Sequence, residues 1–266
     1  MSQSSIPAKV TAILGGVHVL ICRPEESAQE LSKALSALGA SCYTFPTLDI
    51  MKLSISEIEK QHILSLDQYD SIIVTSQHAA KIGLDLIDSY WPQFPIKQTW
   101  LAIGQKTASV LATENLTLIS PKNDLSSEEL LKLPALQKIK HQKFLILKGK
   151  GGRGTISQVL TKRGAQVDEV DVYERMRPHY SSEQIQAALI DFHANYIAAL
   201  SGETLLNLIS LCEERDIDLS SKTFIVPSHR VANIAYDHGF KSVLIPANLK
   251  PIDLIKCITN HKKNFN

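Results

Sequence analysis

The chain is poor in the residues that would make for a simple explanation. Only four of its 266 residues are cysteine: Cys22, Cys42, Cys212 and Cys257. None forms a C-x-x-C pair and no histidine cluster lies beside them, so neither structural zinc nor a disulfide framework is expected. Free thiols of this kind suit a reducing compartment, and a cytoplasmic location is expected. Charge of one sign is also missing, with 28 Lys and Arg set against 27 Asp and Glu. That balance removes the broad basic field of a nucleic-acid binder, although a local basic cleft is still allowed. No apolar run reaches the roughly 18 residues needed to span a membrane. Val10 to Cys22 has a faint likeness to a signal peptide, but Gly15-Gly16 and His18 interrupt it. Residues 1–15 are therefore read as a loose tail.

What is present is alternation. His18–Cys22, Ser41–Phe45, Ser71–Thr75, Trp100–Ile103, Lys143–Leu147, Tyr196–Leu200, Thr223–Val226 and Ser242–Ile245 read as strands. Helical spacing follows several of them, as in Ala28, Leu31, Leu35 and Leu38, stopped by Gly39. Strands alternating with helices of this length predict a parallel sheet covered on both faces.

The sequence also repeats. Leu38-Gly39-Ala40 and Ile73-Val-Thr-Ser76 recur as Arg163-Gly164-Ala165 and Ala198-Ala-Leu-Ser201, both at an offset of 125 residues. Ala102–Ala108 recurs around Ile225–Ala232 at an offset of 124. Two similar α/β halves follow. Phe45–Ile50 and Val172–Pro178 occupy equivalent places and are candidate connectors. If the first β-α unit of each half is exchanged there, one domain holds 1–44 plus 179–266, the other 50–171, and 45–49 with 172–178 connect them. Two contiguous halves are the alternative.

Ligands of open α/β sheets bind at the carboxyl ends of strands. The polar residues there are Arg23, Thr75, Ser76, Gln77, Gly104, Thr107, Lys148, Gly149, Arg153, Ser201, Gly202, Ser228 and Arg230. Gln105, Lys106 and His229 stand beside them. Hydroxyls, amides and basic groups in this setting suit carboxylates or phosphates. Each Ser or Thr taken alone also reads as a plain helix cap. Gly149–Gly154 matches G-x-G-x-x-G in form, which leaves open a nicotinamide-dependent oxidoreductase. Its repeat equivalent, Arg23–Ser27, has no glycine, so an anion loop is the preferred reading. Tyr173 stands in the second connector, where it either donates a proton toward a ligand or packs as an anchor.

Taken together, Arg23-Pro-Glu-Glu, Leu38-Gly-Ala, Phe45-Pro, Ile73-Val-Thr-Ser76, Ile103-Gly-Gln-Lys-Thr107, Gly149-Lys-Gly-Gly-Arg153, Val172-Tyr-Glu-Arg175, Leu200-Ser-Gly-Glu203 and Val226-Pro-Ser-His-Arg230 resemble the uroporphyrinogen-III synthase family, in order and over about residues 17–250. The resemblance implies two similar parallel-sheet, flavodoxin/Rossmann-like α/β domains joined by a two-stranded β-ladder, with the site in the cleft between them. It implies cyclisation of the linear tetrapyrrole hydroxymethylbilane with loss of water and inversion of ring D. The resemblance implies no metal and no organic cofactor; the expected partner is that small-molecule substrate, with no nucleic acid and no membrane, and a monomer is expected. Tyr173 would assist loss of the hydroxyl. Thr107 would bind or polarise substrate, and Ser76, Ser201, Ser228 and Arg230 would line the cleft. His78 and Lys148 depart from commoner forms of the family. A non-catalytic ligand-binding or regulatory protein on the same fold is the rival reading.

Overall fold

The computed structural model describes residues 13–95, 97–114, 116–121, 126–152 and 154–263, the side chains of 25–27 apart. In chain order the elements are β1 (His18–Ile21), α1 (Glu25–Ser36), β2 (Ser41–Thr44), β3 (Asp49–Lys52), α2 (Glu57–Leu64), β4 (Ser71–Val74), α3 (Gln77–Asp88), β5 (Thr99–Ala102), α4 (Gln105–Leu111) and β6 (Thr117–Ile119). They continue with α5 (Ser127–Leu131), β7 (Lys143–Gly149), α6 (Thr155–Lys162), β8 (Gln166–Met176), α7 (Ser182–Ile185), β9 (Tyr196–Ala198), α8 (Gly202–Glu213), β10 (Thr223–Ile225), α9 (His229–Asp237), β11 (Ser242–Leu244) and α10 (Pro251–Lys263). No helix among the described residues is long and apolar enough to cross a membrane.

The chain divides into two compact units, 1–49 with 177–266, and 50–176. The first has a parallel sheet in the order β2-β1-β9-β10-β11. Its strands are continuous apolar runs because helices cover both faces. Leu20, Ile197 and Phe224 pack on one face against α8 and α9, and Val19, Ile21 and Ile225 pack on the other against α1 and α10. Leu14 is fully buried in that second layer, and its N–H donates to Leu38 O at 2.9 Å. The expected loose tail therefore ends before Leu14, where an apolar side chain meets the open end of α1. Residues 1–12 lie outside the described residues.

The second unit has the order β8-β7-β4-β5-β6, again with parallel pairs, and β3 lies outside β8. Ile72, Val74, Leu145 and Leu147 pack on one face with α2, α3 and α4, and Ile73, Phe144 and Ile146 on the other with α5 and α6. The two sheets thus share one strand arrangement, and the repeat in sequence pairs β1 with β7, β9 with β4 and β10 with β5. Even the helix ends correspond. Gly39 and Gly164 have φ of 90° and 88°. Just beyond them Ala40 and Ala165 donate back to Leu35 O and Leu160 O at 3.2 and 3.1 Å. That is the 6→1 bond of a Schellman stop, and glycine takes the left-handed position at no steric cost.

The connectors divide unequally. Phe45 is buried and stacked on Tyr180, and Thr47 donates to Thr204 O at 2.8 Å, so residues 45–49 sort with the first unit. Residues 172–176 are the continuation of β8, not a free connector. Strand ends are otherwise within one or two residues of those expected, with β9 two residues shorter and β7 two longer.

Candidate active site

The order of strands along each sheet reverses between β1 and β9 in one unit and between β7 and β4 in the other. Such switch points open a crevice at the carboxyl ends of the strands. Arg23 follows β1, Ser201 and Gly202 follow β9, and Ser228 and Arg230 follow β10. Lys148 and Gly149 end β7, Thr75, Ser76 and Gln77 follow β4, and Gly104 follows β5. These residues therefore stand at strand ends or in the first turn beyond them, whereas Tyr173 lies inside β8. Arg153 lies outside the described residues.

In the second unit Thr75, Ser76, Lys148 and Gly149 meet in a cavity of about 460 Å³, which Gln77 and Gly104 do not line. Its walls include Thr75, Ser76, Lys148, Gly149, Gly152 and Tyr173. Tyr173 is the central side chain. It is 4% exposed, and its hydroxyl stands 3.1 Å from Ser76 Oγ. Ser76 also caps α3, accepting from the Ala79 N–H at 3.1 Å. The expectation for Tyr173 placed it in a connector. It lies instead inside β8, opposite Gly149, next to a register shift between Lys148 and Gly149. The His78 ring is 5.9 Å from the Tyr173 ring.

Lys148 lines the cavity, but carboxylates already hold its ammonium. Glu169 is 3.1 Å away and Asp171 3.5 Å. Burial opposes its charge, and these two partners outweigh that, holding the pKa above the ordinary lysine value. Lys148 is thus committed to β8 in this structure, which β7–β8 register places opposite Asp171. Lys150 pairs with Glu174 at 3.2 Å on the surface. Beside these lysines the cavity wall offers hydroxyls, backbone N–H groups and Arg175, the kinds of group that can meet an anion.

Thr107 is buried in α4 at 4% exposure and does not line the cavity. Gly104 caps α4 with extended backbone, and Gln77 Nε2 lies 3.5 Å from His78 Nε2. The walls also hold Ser126, Ser127, Glu128 and Arg175, which the strand-end rule did not select. Ser126 accepts from the Glu129 N–H at 3.2 Å, so its S-x-x-E spacing was the available signal.

In the first unit, Ser201 caps α8, accepting from the Thr204 N–H at 3.0 Å, with the Thr204 hydroxyl at 2.6 Å. Ser228 caps α9 with extended backbone and no side-chain bond. The Arg230 guanidinium lies over Gly202, 3.6 Å from where a Cβ would stand. Arg23 is half-buried. Burial lowers its pKa, and Glu30 offsets part of that shift.

The family model described as Uroporphyrinogen-III synthase HemD matches residues 29–256. A curated relative from Escherichia coli K12, named uroporphyrinogen-III synthase, is 30% identical over 91% of this chain and 100% of its own length. The protein of the same name from Salmonella typhimurium is 29% identical over the same shares. Among solved structures, a mutant uroporphyrinogen III synthase from Thermus thermophilus superposes with a TM-score of 0.62, at 16% identity, covering 93% of this chain and 99% of that one. The Helicobacter pylori enzyme gives 0.59 at 15% identity and the same coverage. At those identities the structures speak for the fold, while the sequence matches speak for descent, and on them the chain belongs to the uroporphyrinogen-III synthase family.

Proposed function

We propose that this protein converts hydroxymethylbilane to uroporphyrinogen III. The terminal hydroxyl of the linear tetrapyrrole leaves as water. The azafulvene that forms is attacked from the substituted position of ring D, giving a spiro intermediate that breaks and recloses with ring D inverted. One water is lost for each carbon–carbon closure, so the enzyme is a cyclising lyase. No metal or organic cofactor enters this reading, and the protein acts as a cytoplasmic monomer.

The observation that carries the reading is the Tyr173 hydroxyl, 3.1 Å from Ser76 Oγ in the wall of a cavity at a sheet switch point. A phenol there can share a proton with the departing hydroxyl. Thr75, Ser76 and Gly149 supply hydroxyls and backbone at the cavity wall, with Gln77 and Gly104 at the strand ends beside it, and Arg23, Ser201, Gly202, Ser228 and Arg230 supply the other set, while the expected role of Thr107 is dropped because its side chain is buried in α4. Arg153 is assigned to the substrate carboxylates by sequence alone. The substrate carries eight carboxylates, so most of the work is holding the chain with its ends together. The two units are read as domains, with 45–49 and 172–178 as a two-stranded ladder. What supports a ladder is β3 beside β8, with the Leu53 N–H donating to Val172 O at 3.0 Å, and this overlaps the expected 45–49 only at Asp49.

The test is an assay with freshly made hydroxymethylbilane, followed by oxidation and separation of the porphyrin isomers. Isomer III in excess is expected. Isomer I alone, as without protein, would refute the reading in favour of a non-catalytic binder.

A further inference from the structure

Tyr173 reaches Ser76 only because of two local features of β7 and β8. Lys148 pairs with Asp171, but the next pair is Gly149 with Tyr173, so Val172 is an additional residue in β8. Plain alternation would send Tyr173 to the side of Asp171 and Glu169, whose carboxylates meet Lys148. Instead Tyr173 joins Val170 and Val172 in the layer beneath α2, α3 and α4. A bulge re-aims a side chain in this way.

The second feature is the missing side chain opposite. A Cβ at Gly149 would stand 2.5 Å from Tyr173 Cζ and 2.8 Å from both Cε2 and the hydroxyl oxygen. Real Cβ atoms do not approach a ring so closely. The strand cannot yield easily either, because the Lys150 N–H donates to Tyr173 O at 2.8 Å and pins the tyrosine backbone. Any side chain at 149 must therefore turn the ring away.

We infer that Gly149 is a positioning residue for Tyr173: its bare Cα, next to the bulge, is the slot that holds the phenol at Ser76. This rests on the reading of Tyr173 as the group that meets substrate. It also differs from the reading of Gly149 as part of an anion loop, since here the glycine acts through the tyrosine and not on the ligand.

The test is a cycle of four proteins: wild type, Gly149→Ala, Tyr173→Leu and the double variant. Three readouts are taken: the melting temperature, kcat and KM for isomer III, and the Tyr173 ring signal in a ring-labelled tyrosine NMR spectrum, assigned by its loss in Tyr173→Phe. Gly149→Ala is expected to shift the Tyr173 signal, lower the melting temperature, and lower kcat with KM within about twofold of wild type. In the Tyr173→Leu background the same alanine is expected to change neither the melting temperature nor kcat and KM, because the clashing ring is gone. Should Gly149→Ala fail to fold, the double variant is expected to fold, and failure of both would overturn the inference. An unmoved Tyr173 signal in Gly149→Ala would also overturn it, as would equal losses in both backgrounds. If Tyr173→Phe turns over at the wild-type rate, the functional reading of Tyr173 fails, yet the NMR signal and the melting temperature still decide whether Gly149 positions the ring.

Discussion

Ser76 Oγ lies 3.1 Å from the Tyr173 hydroxyl and 3.1 Å from the Ala79 N–H, so one oxygen serves both the cavity and the start of α3. The two roles can be separated because the partners differ. Removing the phenol oxygen leaves the helix cap in place.

Tyr173→Phe is therefore expected to lower turnover by about a hundredfold, at the low end of what positioned acid–base groups supply. The melting temperature should stay close to wild type, since Ser76 keeps its backbone partner and the ring keeps its packing. A thermal melt beside the isomer assay checks both. Wild-type turnover would remove Tyr173 from the reaction.

Ser76 itself should show both effects. Ser76→Ala is expected to cost about 1 kcal/mol of stability through the lost cap, and Ser76→Gly only a few tenths. Both variants remove the partner of the Tyr173 hydroxyl, so their losses in turnover should match. Chemical denaturation and the isomer assay on the pair make the comparison. Turnover that follows stability across the two would mean that Ser76 is only a cap.

The first unit provides a control for glycine chemistry. A Cβ at Gly202 would meet the Arg230 guanidinium and Ile234 Cδ1 at 3.6 Å, which is ordinary contact. Gly202→Ala is expected to fold normally, with a melting temperature equal to or above wild type, because alanine at the start of α8 has less chain entropy to lose. Arg230→Ala is expected to raise KM several-fold while leaving the melting temperature unchanged, since Arg230 is exposed and its charge is open to substrate carboxylates. An Arg230→Ala protein with wild-type KM would take this residue out of the binding set.

The strand runs and the repeat were legible because both are local or periodic. Apolar runs such as Ser71–Val74 and Phe144–Leu147 are the signature of strands covered on both faces, and Gly39 and Gly164 marked equivalent helix stops. Strand-end residues were legible for the same reason, since chain direction alone puts Ser76 and Ser201 at one edge of each sheet. What was not legible depends on register. The bulge that turns Tyr173 has no mark in the sequence, and alternation read along β8 puts that ring on the wrong face. Lys148 looked like a free cation until β8 placed Glu169 and Asp171 beside it, twenty-one and twenty-three residues away. Leu14 looked like tail because its partner Leu38 lies across α1.

Glu59 gives a prediction for acid stability. Its Oε2 accepts from the Ser56 N–H and the Ser56 hydroxyl, both at 2.8 Å, and its Oε1 accepts from the Asp171 N–H at 3.1 Å. Partial burial pushes this carboxyl up, and the bonds from Ser56 and Asp171, helped by His62, outweigh it and leave it below the usual carboxylate value. A carboxyl depressed in the folded state stabilises fully above its unfolded value of about 4.3 and loses that contribution as pH falls through the lower, folded value. Glu59→Gln keeps an acceptor for the α2 cap but sets an NH₂ group against one of the N–H donors. The variant is therefore expected to melt below wild type from about pH 7 down to about pH 5, with the gap closing below about pH 4 as Glu59 itself is protonated. Melts across that range check the sign. A gap that persists at about pH 3 would mean that the loss comes from shape and not from the ionised carboxylate. Because Asp171 is two residues from Tyr173 on the bulged stretch of β8, the same variant should also lower turnover slightly at neutral pH, through the strand that carries the phenol.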